Sequence, residues 1–192
     1  MKINRLLLLC VCPLLILTGC MSLPSKAPLN AWQGRFSVTV KDVQGNHNER
    51  GRFEFLVFPN EESVLDLKTP IGGTIARIEK SHDVARLQAL GHETIQAQDV
   101  NTLMIQTLGF TVPVEGLTYW INGEPDPRTA FVVTPEQAPI SRIEQNGWQI
   151  DVLARNEAQQ PTRLRLTRLA SATEPGIVIT LLIQGVIGHD RK

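Results

Sequence analysis

The sequence has no cysteine beyond position 20, because its three cysteines are Cys10, Cys12 and Cys20. A disulfide framework is therefore excluded for residues 21–192, and the fold has to rest on an apolar core. With 192 residues and 42% hydrophobic content, the chain is long enough to bury such a core within one domain.

An excess of positive charge is also missing, since 19 lysines and arginines face 19 aspartates and glutamates. The basic residues do not cluster into a patch along the sequence. Binding to nucleic acid requires a basic face that neutralises phosphates, so the composition argues against a nucleic-acid partner.

The sequence contains no pattern of residues that would support catalysis or bind a metal. The Ser-His-Asp string at positions 81–83 joins neighbours whose side chains cannot converge on one strand, and no spacing typical of metal ligands occurs. We therefore expect a protein that is not an enzyme and needs no cofactor. The histidines are scattered, at His47, His82, His92 and His189.

No apolar run is long enough for a membrane-spanning helix, since Leu6–Leu17 has 12 residues and a span needs about 20. This run follows Lys2 and Arg5 and precedes small residues, which is typical of a secretory signal. The string LTGC, ending at Cys20, resembles the lipobox of bacterial lipoproteins, where the chain is cut before a cysteine that carries lipid. We predict a signal peptide at residues 1–19 and lipidation of Cys20. A free cysteine after an ordinary signal is the alternative.

Lipid on Cys20 would tether the chain to a membrane surface. Three acyl chains exceed the two signals that stable anchoring requires, at about 0.8 kcal/mol per buried CH₂. Met21–Leu29 is rich in proline and serine. We therefore interpret residues 20–31 as the lipidated cysteine and a flexible tether, and residues 32–192 as one globular domain.

The first half of this domain alternates apolar and polar residues with a period of two, which is typical of β-strands. GRFSVTV and RFEFLVF flank a turn at Gly45-Asn46 and predict a long hairpin. SVLDLKT, TIARIEK, VARLQAL and ETIQAQD follow, which gives six predicted strands before residue 99.

The pattern changes after Asp99, a suitable helix N-cap. Apolar residues at three- and four-residue spacing predict a helix from Val100 that stops at Gly109 and a second helix over Val114–Ile121. Strands resume with ISRIEQ, WQIDVLA, TRLRLTRL and GIVITLLI. This order predicts an α+β fold, with a strongly curved antiparallel sheet of about ten strands wrapped around the helices.

Between the third and fourth predicted strands, DLKTPIGGT places Ile71 between Pro70 and the pair Gly72 and Gly73. Proline and glycine favour a sharp turn, because glycine reaches positive φ angles without strain. Two interpretations stay open: Ile71 folds back onto the core, or it projects from the turn to meet another surface.

The LTGC signal, the GRF strand, LDLKTPIGGT, DVNTLMIQTLGFTVPVEGLTYWINGEPDP and QNGWQIDVL, in this order, resemble the LolB family of outer-membrane lipoprotein receptors. The resemblance covers nearly all of the chain after the signal and is most specific from Pro113 to Pro125. It implies an unclosed β-barrel with a lid of short helices, anchored by its lipid at the periplasmic face of the outer membrane. Such a receptor accepts acylated lipoprotein cargo from the soluble carrier LolA and inserts it into the outer membrane.

The resemblance also assigns a role to the loop of Pro70, Ile71, Gly72 and Gly73, whose apolar tip enters the membrane in this family. Met21, rather than an aspartate, after the lipidated cysteine resembles the outer-membrane sorting pattern. The sequence departs from better-known members near its N-terminus, where only NAWQ stands in place of a longer helix-forming segment. No signal for oligomerisation is visible, so we expect a monomer.

A receptor of this kind has to offer apolar surface to acyl chains. From strand alternation and helical spacing we expect that surface to be formed by Phe36, Val38, Phe53, Phe55, Leu65, Leu67, Leu103, Leu108, Leu117 and Trp120. Periodicity identifies a face but not whether that face is filled, so ordinary core packing is the alternative for each residue.

Two other functions remain compatible with the sequence. One is an anchored half-barrel that senses or stores lipid without passing on a protein cargo, and the other is a structural lipoprotein with a packed interior. Arg35, Arg52 and Arg77 could hold polar parts of a cargo or form a solvated outer face.

Overall fold

The computed structural model describes residues 27–42, 45–108, 111 and 113–186. The predicted signal peptide, Cys20 and most of the predicted tether lie outside these residues, as does Gly109, the predicted end of the first helix. The side chain of Leu108 is also outside the described part of the chain.

The described chain is built mainly from β-strands, with two short helices between the sixth and seventh strands. The helices are α1 (Val100–Leu108) and α2 (Val114–Trp120). The strands are β1 (Asn30–Asp42), β2 (Gly45–Val57), β3 (Ser63–Lys68), β4 (Thr74–Lys80), β5 (Ala85–Ala89), β6 (Ile95–Ala97), β7 (Phe131–Thr134), β8 (Arg142–Gln145), β9 (Trp148–Arg155), β10 (Pro161–Arg168) and β11 (Gly176–Val186).

All strands of the described residues belong to one antiparallel sheet of 11 strands, in the order β6-β5-β4-β3-β2-β1-β11-β10-β9-β8-β7. The two halves of the chain meet where β11 pairs with β1, beside the long β1–β2 hairpin. The sheet does not close, since β6 and β7 form its two edges. The predicted α+β class and the unclosed, curved antiparallel sheet are therefore confirmed.

Four details differ from the sequence-based expectation. The predicted turn residues Gly45 and Asn46 belong to β2 and pair with the end of β1. The sheet contains β7, a four-residue edge strand that the alternation did not predict because it is short and follows a loop rich in Pro and Asp. The predicted second helix ends at Trp120 rather than Ile121. The NAWQ segment forms the start of β1, which begins at Asn30, and Ala31 and Trp32 are already buried there.

Two glycines of the central hairpin leave room for a neighbouring backbone and for an aromatic ring. Gly34 of β1 lies opposite Phe53, and Gly51 of β2 lies opposite Phe36. A Cβ atom at Gly34 would collide with the Leu182 carbonyl oxygen and stand 2.9 Å from the Phe53 ring. One at Gly51 would collide with the Lys68 carbonyl oxygen and stand 2.9 Å from the Phe36 ring. Each ring therefore occupies space that only a glycine leaves free.

The first helix is capped as its sequence predicts. The Asp99 carboxylate accepts hydrogen bonds from the Thr102 backbone N–H at 2.8 Å and the Thr102 hydroxyl at 2.9 Å. The backbone hydrogen bond is the main reason that the pKa of Asp99 lies below its usual range. The helix buries Val100, Leu103 and Met104 and packs against β5 and β6.

The second helix is held by a buried amide. Gln145 of β8 accepts hydrogen bonds through Oε1 from the Trp120 indole N–H at 2.8 Å and the Asp126 backbone N–H at 2.9 Å. Its Nε2 donates to the Asp126 carbonyl at 2.7 Å and the Thr129 hydroxyl at 2.8 Å. These bonds connect α2 and the loop that follows it to β8.

Replacing this amide should destabilise the domain. Gln145→Leu would leave the Trp120 indole N–H and the Asp126 backbone N–H buried without partners and would remove one hydrogen bond to the Asp126 carbonyl, and each buried donor left unpaired costs about 1–3 kcal/mol. We expect urea unfolding, followed by circular dichroism, to show a loss of about 3 kcal/mol or more in the free energy of unfolding. Gln88→Leu, at an exposed position of β5, is the control and should change little. Equal stability of the two variants would contradict the anchoring role of Gln145.

Candidate functional site

A cavity of about 430 Å³ lies on the concave face of the sheet. Its wall is almost entirely hydrocarbon and comes from β1–β5, β10 and β11, with α2 as the roof. This volume falls within the range of about 300–1,000 Å³ that is typical of pockets for small ligands. The arrangement can hold apolar chains through burial alone.

Strand register explains why the cavity is not filled. Phe53 of β2 lies opposite Leu67 of β3, which lies opposite Ala76 of β4, which in turn lies opposite Ala89 of β5. Side chains directly opposite one another point to the same face of a sheet. Two bulky residues are thus followed by two small ones, and the small pair leaves room on the concave side.

The roof of the cavity comes from one side of α2. Pro113, Val114 and Leu117 face the cavity, whereas Trp120 lies 1% exposed in the core, bonded to Gln145. None of the described side chains of α1 lines the cavity. Of the two helices, α2 therefore covers the cavity, whereas α1 packs against β5 and β6.

The structure brings together six of the residues expected from the sequence to form an acyl-chain cavity. In its wall lie Phe36, Val38, Phe53, Leu65, Leu67 and Leu117.

Three other expected cavity residues belong to the packed core instead. Phe55 is fully buried and stacks on Trp32 with ring centroids 5.9 Å apart. Leu103 is fully buried on the face of α1 that packs against β5 and β6. Trp120 turns away from the cavity because its indole N–H reaches Gln145. The side chain of Leu108 lies outside the described residues.

Sequence reasoning did not select several residues of the wall. Ile179 and Leu181 of β11, Leu166 of β10, and the pair Ala76 and Ala89 all line the cavity. The run GIVITLLI, apolar at nearly every position, was the available signal for β11. Nothing local marks an alanine as the lining of an empty space.

The Ile71 loop (Thr69–Gly73) is a tight turn closed by two backbone hydrogen bonds of Thr69. The Thr69 carbonyl accepts from the Gly72 N–H at 3.0 Å, and the Thr69 N–H donates to the Gly73 carbonyl at 2.7 Å. Pro70 takes the position where its fixed φ fits, and Gly72 has a φ of +104°, whereas Gly73 has no positive φ. Ile71 stands at the tip with 96% of its surface exposed. The turn therefore presents an isoleucine to the surroundings rather than to the core.

The arginines singled out from the sequence do not reach the cavity. Arg77 donates two hydrogen bonds of 2.7 Å to the nearly buried Asp66 carboxylate, which raises the pKa of Arg77. Arg35 and Arg52 are exposed on the outer face of the sheet. The structure thus favours the solvated outer face over contact with cargo inside the cavity.

Comparison with known proteins identifies the family. The family model described as outer membrane lipoprotein LolB matches residues 30–185. This chain belongs to the LolB family. The match includes every residue that lines the cavity and the whole Ile71 loop.

Curated relatives support this assignment. The outer-membrane lipoprotein LolB of Thiobacillus denitrificans is 37% identical over 142 residues, covering 72% of this chain and 74% of the relative. The LolB proteins of Cupriavidus necator and Bordetella pertussis are 30% and 33% identical, covering 88% of this chain and 91% and 87% of theirs. A solved LolA superfamily structure from Nitrosomonas europaea is similar with a TM-score of 0.48 at 11% identity, covering 87% of this chain and 90% of that one.

The LolB family is one of outer-membrane lipoproteins, and it places this chain at the outer membrane. Neither helix of the described residues is both long enough and apolar enough to cross a membrane.

Filling the cavity should block ligands without unfolding the domain. Ala89→Phe would place a ring in space next to Ala76. We expect a fatty-acid probe to bind about tenfold more weakly, because excluding about two CH₂ groups forfeits about 1.6 kcal/mol of burial. Fluorescence titration measures the affinity, and the melting temperature reports the fold. Ala154→Phe, at an exposed position of β9, is the matched control. Unchanged probe affinity in Ala89→Phe would show that ligand does not enter this space.

Proposed function

We propose that this chain is an outer-membrane receptor that accepts lipoproteins from a LolA-type periplasmic carrier, holds their acyl chains in the cavity, and delivers them to the membrane through the Ile71 loop. The observation that carries this proposal is the unfilled apolar cavity under α2 in a member of the LolB family. The chain acts as a monomer in this proposal.

The chemistry of the cavity suits acyl chains rather than polar ligands. Each CH₂ group of a cargo loses about 0.8 kcal/mol of burial when it is exposed to water. An apolar wall recovers this energy without directional bonds, so chains can enter and leave at similar free energy. Glu49 and Arg50 of β2 lie at the rim of the cavity, where the polar parts of a cargo would meet solvent.

The Ile71 loop suits entry into a membrane surface. Burying one isoleucine side chain contributes about 1.5–3 kcal/mol, which is a factor of roughly ten to a hundred in partitioning. This is enough to favour brief insertion but too little for permanent anchoring. Anchoring falls to the predicted lipid on Cys20.

A transfer assay tests the receptor function directly. A LolA-type carrier loaded with a lipoprotein is mixed with the chain from residue 21 onward, and the cargo is followed from one protein to the other. We expect the cargo to move to this chain. Cargo that stays wholly on the carrier would contradict the receptor function and leave a lipid sensor or a structural lipoprotein.

The Ile71 loop should affect delivery but not acceptance. Ile71→Glu alters a side chain that is 96% exposed, so the melting temperature and transfer from the carrier should stay unchanged. Delivery of cargo from this chain to lipid vesicles should fall by roughly ten- to a hundredfold, because a charge at the tip opposes insertion.

Leu29→Glu is the matched control for this change, since Leu29 is 65% exposed and lies before β1, at the other end of the sheet. Its delivery rate should equal that of the parent. A large drop in melting temperature of Ile71→Glu, or intact delivery, would contradict the role of the loop.

Loss of the lipid should release a folded domain. The described core begins at Ala31, so Cys20→Ala changes none of its residues and should leave packing intact. We expect the variant in the soluble periplasmic fraction of fractionated cells, whereas the parent sediments with the outer membrane. Firm retention of Cys20→Ala in the outer-membrane fraction would show that something other than acyl chains anchors the protein.

A further inference from the structure

A groove crosses the outer face of the sheet, on the side opposite to the cavity. Four arginines line it, and Pro70 of the Ile71 loop stands at its edge. We call it the arginine groove, and its arginines are Arg35, Arg50, Arg52 and Arg163. Because successive strand residues point to opposite faces, Arg35 and Arg52 point outward where Phe36 and Phe53 point into the cavity.

Strand pairing concentrates positive charge in this groove. Arg35 of β1 lies directly opposite Arg52 of β2. On the other side of Arg35, Leu182 of β11 separates it from Arg163 of β10. Like charges placed directly opposite one another destabilise a sheet, so this arrangement carries a cost that an anion in the groove would remove.

Within the described chain, none of the four groove arginines forms an ion pair or a side-chain hydrogen bond. Three acidic residues on the same outer face are engaged by other cations. These pairs are Glu54 with Lys68, Asp66 with Arg77, and Asp151 with Arg142. The groove is therefore a concentrated positive surface in a chain whose basic and acidic residues balance, 19 against 19.

The groove is continuous with the features that meet the membrane in the proposed function. Pro70, at its edge, directly precedes the exposed Ile71. Arg52 pairs with Lys68, the last residue of β3 before the loop. Arg50 borders both the groove and the rim of the cavity. A bilayer that receives Ile71 would therefore have its headgroups beside these arginines.

We propose that the arginine groove binds the phosphate groups of anionic phospholipids and so lays this outer face of the sheet against the membrane. This inference rests on the proposed insertion of the Ile71 loop. The planar guanidinium matches phosphate with paired hydrogen bonds. Leu182 and Pro70, between the arginines and at the edge, supply apolar surface suited to the boundary between headgroups and acyl chains. The cavity rim at Arg50 then opens beside the bilayer.

The size of the expected effect follows from membrane electrostatics. Each arginine near an anionic surface strengthens binding by about fivefold, and the contribution weakens as salt screens it. The chain from residue 21 onward should therefore bind vesicles of phosphatidylcholine with phosphatidylglycerol more tightly than vesicles of phosphatidylcholine alone. This preference should shrink at high salt.

Vesicle co-sedimentation tests the groove. Arg52→Gln should weaken binding to phosphatidylglycerol vesicles by about fivefold, and the triple variant Arg35→Gln, Arg52→Gln, Arg163→Gln by about a hundredfold. Binding to phosphatidylcholine vesicles should stay as in the parent. The corresponding triple change to lysine keeps the charge and should keep most of the preference. Because these side chains are exposed and the glutamine changes relieve repulsion between like charges, melting temperatures should stay unchanged or rise slightly, which would confirm folding.

Arg86→Gln is the matched control. Arg86 is exposed on β5, where it lies opposite Glu79 of β4, which lies opposite Val64 of β3. Val64 is four residues along β3 from Lys68, the residue that pairs with Arg52, so Arg86 is distant from the groove. Arg86→Gln removes one positive charge, as Arg52→Gln does, but at a position outside the groove. It should therefore leave vesicle binding unchanged. If Arg86→Gln and Arg52→Gln weakened binding to phosphatidylglycerol vesicles equally, the net charge of the domain and not the groove would explain the binding, and the proposal would be overturned.

Two further outcomes separate this proposal from the receptor function. A glutamine triple variant that keeps its full preference for phosphatidylglycerol but no longer takes cargo from the carrier would make the groove a carrier-docking surface and overturn the membrane proposal. A parent chain that takes no cargo, yet binds phosphatidylglycerol through these arginines, would contradict the receptor function and support the groove.

Discussion

The hydrogen bond from the Trp120 indole to the buried amide of Gln145 decides which side of α2 faces the cavity. With seven residues, α2 is too short to be stable by itself, so its position depends on tertiary contacts. Once Trp120 is fixed in the core, Val114 and Leu117 lie over the concave sheet and become its roof. The same amide donates a hydrogen bond to the Asp126 backbone carbonyl. The Asp126 side-chain carboxylate accepts hydrogen bonds from Arg128, which lowers the pKa of Asp126. A small polar cluster beside β8 thus holds α2 over the apolar cavity, whose wall comes from other strands of the sheet.

The cavity persists because the sheet provides few atoms on one side to fill it. Protein interiors normally pack as densely as organic crystals, and here the bulky row of Phe53 and Leu67 continues into Ala76 and Ala89. Gly34 and Gly51 leave room for the Phe53 and Phe36 rings and for the carbonyl groups of the neighbouring strands. The unclosed edges at β6 and β7 leave the helices, rather than further strands, to cover the concave side.

The outer side of the same strands has the opposite chemistry. Phe36 and Phe53 face inward, whereas Arg35 and Arg52 face outward. The β1–β2 hairpin therefore has the apolar cavity on one face and the positive surface on the other. The Ile71 loop borders the positive surface through Pro70, and Arg50 borders both surfaces. In the proposed function the cavity holds acyl chains, the loop enters the bilayer, and the arginines set the orientation of the domain on lipid headgroups. Each part acts by a different interaction, which is why each can be removed separately.

The sequence by itself determined the features whose causes are local. Alternation located ten of the strands, Asp99 marked the start of α1, and the chemistry of Pro70 and Gly72 predicted the turn that carries Ile71, because each depends on neighbours within a few residues. Tertiary structure alone decided which apolar residues enclose space. Phe36 and Phe55 are equivalent in an alternating pattern, yet Phe36 lines the cavity while Phe55 stacks on Trp32. A period of two assigns a side chain to a face but not its distance from the opposite wall. The arginine groove was hidden for a related reason. Arg35 and Arg163 are more than a hundred residues apart in the chain, and only the pairing of β1 and β10 with β11 brings them to the two sides of Leu182.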